Sequence, residues 1–363
     1  IGGQIDAAKG SASASELFVV VREGARLQAD GSQAVLDVPG QGRTAVASNG
    51  GSISLASANG LYLDGDFSAR SGGAGAAGGK LSVALETPYY VKSAASDRVM
   101  KVRELVLGQT APASLLEGNA ETAADSLVYG HGRLGVDQVQ SGGFDSLALL
   151  SNGLLSIEGD VSLSLGQSLS LYARGFVTGA AAPNARAQLN ASHVLLSGPA
   201  ANLLNKDNYV RPVVDGGVSL QTNKAVFSVN ADLLDVQGNV TFSSKGTVRQ
   251  ADGSTVELER GGFDQVQLSS RGDVRFLAGF SGEGLPEGFT TQLVTPADMI
   301  LQAAQLYPAT GVGARVLAGY GWGRDPVNNI PLYDPTRSLV ISRTTQVVPQ
   351  VPYSVFGRLQ LGS

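Results

Sequence analysis

Apolar residues spaced two apart recur along this chain in short runs. Ile53 and Leu55 form one such run, Leu147 and Leu149 another. Val161, Leu163 and Leu165 follow, then Leu169 and Leu171. A period of two puts every apolar side chain of a run on one face of a strand. Asn59-Gly60, Asn152-Gly153, Asp215-Gly216 and Asp252-Gly253 punctuate these runs. Glycine accepts the backbone geometry of a tight corner without a Cβ clash. The chain has 48 Gly among 363 residues, about twice the usual share. The pattern commits it to many short strands separated by turns, an all-β fold.

Larger blocks repeat as well. One reads Leu61-Tyr62-Leu63-Asp64-Gly65-Asp66-Phe67-Ser68. It returns as Leu154-Leu155-Ser156-Ile157-Glu158-Gly159-Asp160-Val161-Ser162-Leu163, and again as Leu233-Leu234-Asp235-Val236-Gln237-Gly238-Asn239-Val240-Thr241-Phe242. Gly142-Gly143-Phe144-Asp145 is matched by Gly261-Gly262-Phe263-Asp264. Gln28-Ala29-Asp30-Gly31-Ser32 is matched by Gln250-Ala251-Asp252-Gly253-Ser254. The separations are unequal, so the repeat is degenerate and carries insertions. Two architectures suit many short strands: a sandwich or barrel, and a parallel β-helix. The repeat spans nearly the whole length, whereas one sandwich closes within about 100 residues. Solenoids stack their apolar rows into one continuous core. The favoured expectation is therefore a parallel β-helix (a solenoid) with Gly-rich loop insertions. Coils of about 22 residues would give on the order of 15 coils and a rod roughly 70–80 Å long. Residues 1–320 form the expected rod. Residues 321–363, rich in Pro and aromatics, form a looser continuation or capping coils. Residues 296–306 fit a helix started by Thr295 and Pro296, and also fit a strand ending at Tyr307-Pro308. The strand is preferred. Ile157 and Val236 are expected to point inward.

Composition narrows the function. A net charge of −5 argues against a nucleic-acid surface, which needs clustered Lys and Arg. No apolar run reaches the length of a membrane-spanning helix. There is no Cys, hence no disulfide, thiolate zinc site or cysteine nucleophile. The chain begins at Ile1 without a Met or an apolar leader, as expected of a processed product or a fragment of something longer.

Each chemical motif has a plain structural counterpart. Residues 72–80 (Gly-Gly-Ala-Gly-Ala-Ala-Gly-Gly-Lys) carry the dinucleotide spacing at Gly73, Gly75 and Gly78. A strand pattern follows them where the motif needs a helix. A Walker loop fails at Ala74 and Leu81, so a flexible Gly-rich loop is expected. Arg271-Gly272-Asp273 is the tripeptide that integrins recognise. It is taken as a candidate cell-attachment turn, although the repeat places Arg271-Gly272 over the ordinary turn Asn152-Gly153. Asp64 with Asp66, and Glu158 with Asp160, could serve glycoside cleavage or calcium. The third copy has Gln237 and Asn239 there, which suits turn polarity instead. His131 is expected in an exposed turn and His193 in a strand, with no catalytic motif around either. The sequons at Asn190 and Asn239 read as turn and strand polarity. Tyr307, Tyr320, Trp322, Tyr333, Tyr353 and Phe356 could stack on a partner, with a core or capping role preferred. No catalytic, cofactor or metal residue is assigned.

Several segments resemble large bacterial exoproteins of the filamentous-haemagglutinin type. They are residues 47–55 (Ala-Ser-Asn-Gly-Gly-Ser-Ile-Ser-Leu), Leu61 to Gly65, Gly72 to Leu85, residues 303–310 and residues 351–357. The resemblance implies a right-handed β-helix, export by two-partner secretion through an outer-membrane pore, and adhesive or stalk duty at the bacterial surface. The partner it implies is a receptor or glycan on a host or neighbouring cell. Homo-assembly is compatible with it, and no enzyme activity is expected. The family's secretion domain carries Asn-Pro-Asn motifs, and none occurs here. The expected position is therefore internal or distal. Rival readings are the stalk of a contact-dependent toxin-delivery exoprotein and a carbohydrate-active β-helix.

Overall fold

The computed structural model describes residues 1–6, 11–15, 17–86, 90–91, 103–111, 113, 116, 126–179, 184–198, 209–210, 219–249, 254–280, 285–328, 330–345 and 357–363. The fold is all-β and its sheets are mainly parallel. In the longest sheet nine strands follow one another in chain order: Ser52–Ser57, Gly79–Leu85, Phe144–Ser151, Ser168–Tyr172, Arg186–Ser197, Thr222–Gln237, Gly262–Ser270, Asp298–Ala303 and Leu339–Arg343. Each lies parallel to the next. A second sheet runs Phe18–Val21, Gly60–Leu63, His131–Gly135, Glu104–Gly108, Leu154–Glu158, Gly175–Thr178. A third runs Asn239–Thr241, Thr291–Val294, Gly313–Leu317, Arg358–Gly362.

Register converts the period-two runs into columns. Ile53, Leu81, Leu147, Leu169, Val194, Leu234 and Val274 lie side by side across the long sheet. Leu55, Val83, Leu149, Leu171, Leu196, Val236 and Phe276 form the next inward column. All are buried and belong to one core shared by the three sheets. Burying such a side chain stabilises the fold by about 1.5–3 kcal/mol relative to exposure. At the junction of the sheets Phe176, Phe227, Phe242 and Phe263 pack ring on ring, with centroids 5.0–6.2 Å apart. Ile157 and Val236 point inward as expected. Residues 298–303 form a strand, the preferred reading of that segment.

Four features go beyond or depart from the sequence reading. The repeated block is shared between sheets: Gly60–Leu63 and Leu154–Glu158 lie in the second sheet, while Leu233 to Val236 lie in the long one. The block marks a strand–corner–strand unit, and its corner geometry serves any edge of the fold. Gly159 and Gly238 occupy that corner with φ of 71° and 67°. The spacing is also uneven: the register advances 22 residues from Ser146 to Ser168 but 40 from Asp235 to Arg275. Nine strands at about 4.8 Å span roughly 40 Å, not 70–80 Å. Among the described residues the chain also makes side excursions, such as the hairpins Gln33–Val38 with Gly42–Ala47 and Ser244–Arg249 with Thr255–Arg260. Thirdly, a short helix forms at Val136–Ser141. Gln138 starts it by accepting from the Gly135 N–H at 2.9 Å, and donates to the carbonyls of Leu63 and Gly65. Finally, His131 is not in an exposed turn. It sits half-buried in a strand, 5.0 Å from the Tyr62 ring, and burial and Arg133 keep its imidazole less basic than usual.

Parallel pairing continues past residue 320, because Leu339–Arg343 and Arg358–Gly362 each extend a sheet. Chain order and spatial order disagree at one place among the described residues. Glu104–Gly108 precedes His131–Gly135 in sequence but lies beyond it in the second sheet.

Candidate functional site

Alternation that sends apolar side chains inward necessarily sends their neighbours outward. Over the middle of the long sheet those neighbours are hydroxyls and amides. Ser162, Gln188, Ser228 and Gln267 form one outward column. Ser164, Asn190, Asn230, Ser269 and Gln302 form a second, with Ser342 at its end. The second column is hydrogen-bonded along itself: Asn190 Nδ2 donates to Ser164 Oγ at 3.2 Å, Asn230 Nδ2 to Asn190 Oδ1 at 3.0 Å. This explains the Asn190 sequon as a strand ladder. Asn239 likewise accepts from Gln292 Nε2 at 2.8 Å. Beside the first column a third contains Arg186, Val226, Gln265 and Asp298. A groove of about 780 Å³ follows the first and third columns across four strands. Gln109 forms part of its wall and accepts from the Ser162 N–H at 2.8 Å. Asp160 Oδ1 accepts from the Arg186 N–H at 3.0 Å at one end.

The expected cell-attachment tripeptide lies elsewhere on the same sheet. The N–H groups of Arg271 and Gly272 donate to the carbonyls of Ala231 and Asp232. The Arg271 side chain is 82% exposed and pairs with Asp232. Asp273 opens a strand and accepts from the Tyr307 hydroxyl at 2.8 Å. Nearby, Asp235 is 3% exposed and bridges His193 Nε2 at 2.9 Å and Arg275 at 2.8 Å. Burial alone would raise the Asp235 carboxyl; the hydrogen bonds from His193 and Arg275 outweigh it and hold the group below the usual carboxylate range. The arrangement is a tied ion-pair cluster, and sequence alone gave no sign of it, because its members are about 40 residues apart.

The other candidates resolve individually. Asp66 faces Arg26 at 3.5 Å, and Glu158 is bound to Arg133. Asp160 is the carboxylate at the groove end. Residues 72–78 form a loop, tethered where Gly78 N–H donates to Asp145 and Ala77 N–H to Asn49. Tyr320 and Tyr333 pack edge to face. Tyr353, Phe356 and the side chain of Trp322 lie outside the described residues. Among the described residues no group of three or more His, Cys, Asp or Glu could hold a metal ion, and no helix is long and apolar enough to cross a membrane.

Two more carboxylates stand out, one half-buried and one buried. Glu104 accepts two hydrogen bonds from Arg260 at 2.7 Å and another from Ser156. Burial opposes its charge, but these donors win and hold its carboxyl low. Glu86 is 6% exposed and accepts from the Ala14 N–H at 3.0 Å. Burial pushes its carboxyl up to about 7. That contact ties down the hairpin Gly3–Asp6 with Ser11–Ala14. The hairpin covers the outward residues Ala56, Ala84, Leu150 and Tyr172 at the start of the long sheet. No protein-family model, curated protein or solved structure matched this chain.

Proposed function

We propose that this chain is a structural and adhesive rod segment of a secreted bacterial exoprotein of the filamentous-haemagglutinin type, displayed at the cell surface and without enzymatic activity. Its parallel strands are read as the faces of a right-handed parallel β-helix. The observation that carries this reading is the long sheet. Nine parallel strands succeed one another in chain order, with aliphatic columns inward and hydroxyl and amide columns outward. A winding ribbon gives that order directly, because each coil lays its next strand on the previous one. Such a body supplies length and stiffness, and recognition falls to whatever its flanks display. On this reading an outer-membrane pore exports the chain and a receptor or glycan on another cell binds it.

Two measurements test it. Cryo-electron microscopy of the purified chain should show an elongated particle with strands stacked at about 4.8 Å along its axis; a globule of antiparallel hairpins would refute the winding. Beads coated with the chain should attach to host or neighbouring cells, and free chain should compete. Absence of attachment to any cell type in a broad panel would refute the adhesive role.

A further inference from the structure

The groove on the long sheet has a definite chemistry. Its floor and walls are carboxamides and hydroxyls: Gln188, Gln265, Gln267, Ser162, Ser228 and Gln109. Each such group both donates and accepts. Gln188 is exposed, and its amide has no hydrogen-bond partner among the described residues. The two charged lining residues, Asp160 and Arg186, are of opposite sign, so the lining carries no net charge. A polyanion, whether nucleic acid or sulfated glycan, needs clustered cations. A protein partner is anchored by aromatic or apolar side chains at the centre of its footprint, and Val226 is the one large outward apolar side chain among the lining residues. What fits is a ligand whose own surface is a regular array of uncharged hydroxyls. The groove crosses four strands, and its polar side chains recur at the strand spacing of about 4.8 Å, comparable to the length of one sugar ring.

We infer that this groove binds an extended, uncharged oligosaccharide lying across the strands. The inference rests on the adhesive reading and specifies the ligand class that the rod displays a site for. Among the described residues no aromatic ring lines the groove to stack on a sugar, so each sugar contributes little. Affinity must accumulate with chain length until the four strands are spanned.

The test is calorimetric or NMR titration of the purified chain with β-1,4-linked glucose and N-acetylglucosamine oligomers of two to six sugars, at low and high salt, with a heparin-derived oligomer as comparator. The expected result is weak binding of the disaccharide and at least about tenfold tighter binding of the longest oligomer. Salt should leave both unchanged. Ser228→Tyr fills the groove from an outward position and should lose about tenfold or more. Gln188→Ala, a milder change at an exposed site, should lose several-fold with unaltered thermal unfolding. Absence of binding to any uncharged oligomer overturns the inference, as does binding that is confined to heparin and collapses with salt, or binding that neither variant changes. The adhesive reading fails separately. If beads attach to cells but no uncharged oligomer binds, the groove inference falls and adhesion stands. If oligomers bind the groove but beads attach to no cell, adhesion falls and the groove stands.

Discussion

Replacing Phe227 with Ala removes a ring that no solvent touches. Phe227 packs against Phe242 at 5.0 Å, Phe263 at 5.2 Å and Phe176 at 6.2 Å. These neighbours come from different parts of the fold. Phe176 lies in the second sheet, Phe263 shares the long sheet, and Phe242 directly follows the third-sheet strand Asn239–Thr241. Because each ring is anchored separately, the cavity left behind collapses only partly. Ala187, the register neighbour of Phe227 on one side, is too small to fill it. Deletion of a buried phenyl ring with incomplete relaxation costs about 3–5 kcal/mol. We expect about 4 kcal/mol, with the tilted ring contacts already contained in that figure. The assay is equilibrium unfolding in urea. With a slope of roughly 3 kcal/mol/M, the midpoint should fall by roughly 1 M or slightly more. Val35→Ala, in the hairpin Gln33–Val38 with Gly42–Ala47 where Val35 is 57% exposed, provides the control and should change stability by less than about 0.5 kcal/mol, a midpoint shift under about 0.2 M. Equal shifts for the two variants would refute the shared aromatic core, and with it the packing of three sheets about one junction.

Three further outcomes follow from the same structure. Ile157→Asp and Val236→Asp each bury a charge among aliphatic side chains and should cost several kcal/mol, read as a drop in thermal midpoint; an unchanged midpoint would show that these residues face outward. Glu86 is held protonated in the folded chain up to about pH 7, against about 4.5 for an ordinary Glu. The unfolded chain therefore binds fewer protons between those values, and stability should fall by about 3 kcal/mol as pH rises through that window. Glu86→Gln should remove this slope in a pH series of denaturant midpoints, and should be the more stable form at pH 8; an identical slope in both would exclude Glu86 as its source. Arg260→Met leaves Glu104 half-enclosed without its partner and should cost about 3 kcal/mol, with Glu104→Met restoring part of it. Hydrogen exchange across residues 244–260 reports whether the hairpin loosens, and no coupling in the double-mutant cycle would deny the pair its role.

The strands and their inward faces were legible in the sequence. Alternation at Leu147 and Leu149, or at Val161 and Leu163, is a local signal, because side chains two apart share a face whatever the rest of the chain does. The Gly-Gly-Phe-Asp blocks were legible too: Phe144 is the first and Phe263 the second residue of a long-sheet strand, and both are buried. The Asn-Gly pairs read as the glycine corners, but Gly60 and Gly153 do not have positive φ; Gly159 and Gly238 in the repeated blocks do. The helix at Val136–Ser141 was missed, since its start depends on Gln138 reaching back to Gly135 and across to Leu63.

Tertiary structure alone decided which strand lies beside which. Nothing within Glu104–Gly108 says that it settles beyond His131–Gly135, and nothing near Glu104 points to Arg260, 156 residues away. The groove has the same origin. Ser162, Gln188, Ser228 and Gln267 are unremarkable singly and become one column only through register. Local hydropathy sets which way a side chain faces, because that choice costs or gains free energy within a few residues. Register and sheet membership are set by the lengths of intervening loops and by closure of a common core, and those are properties of the whole chain.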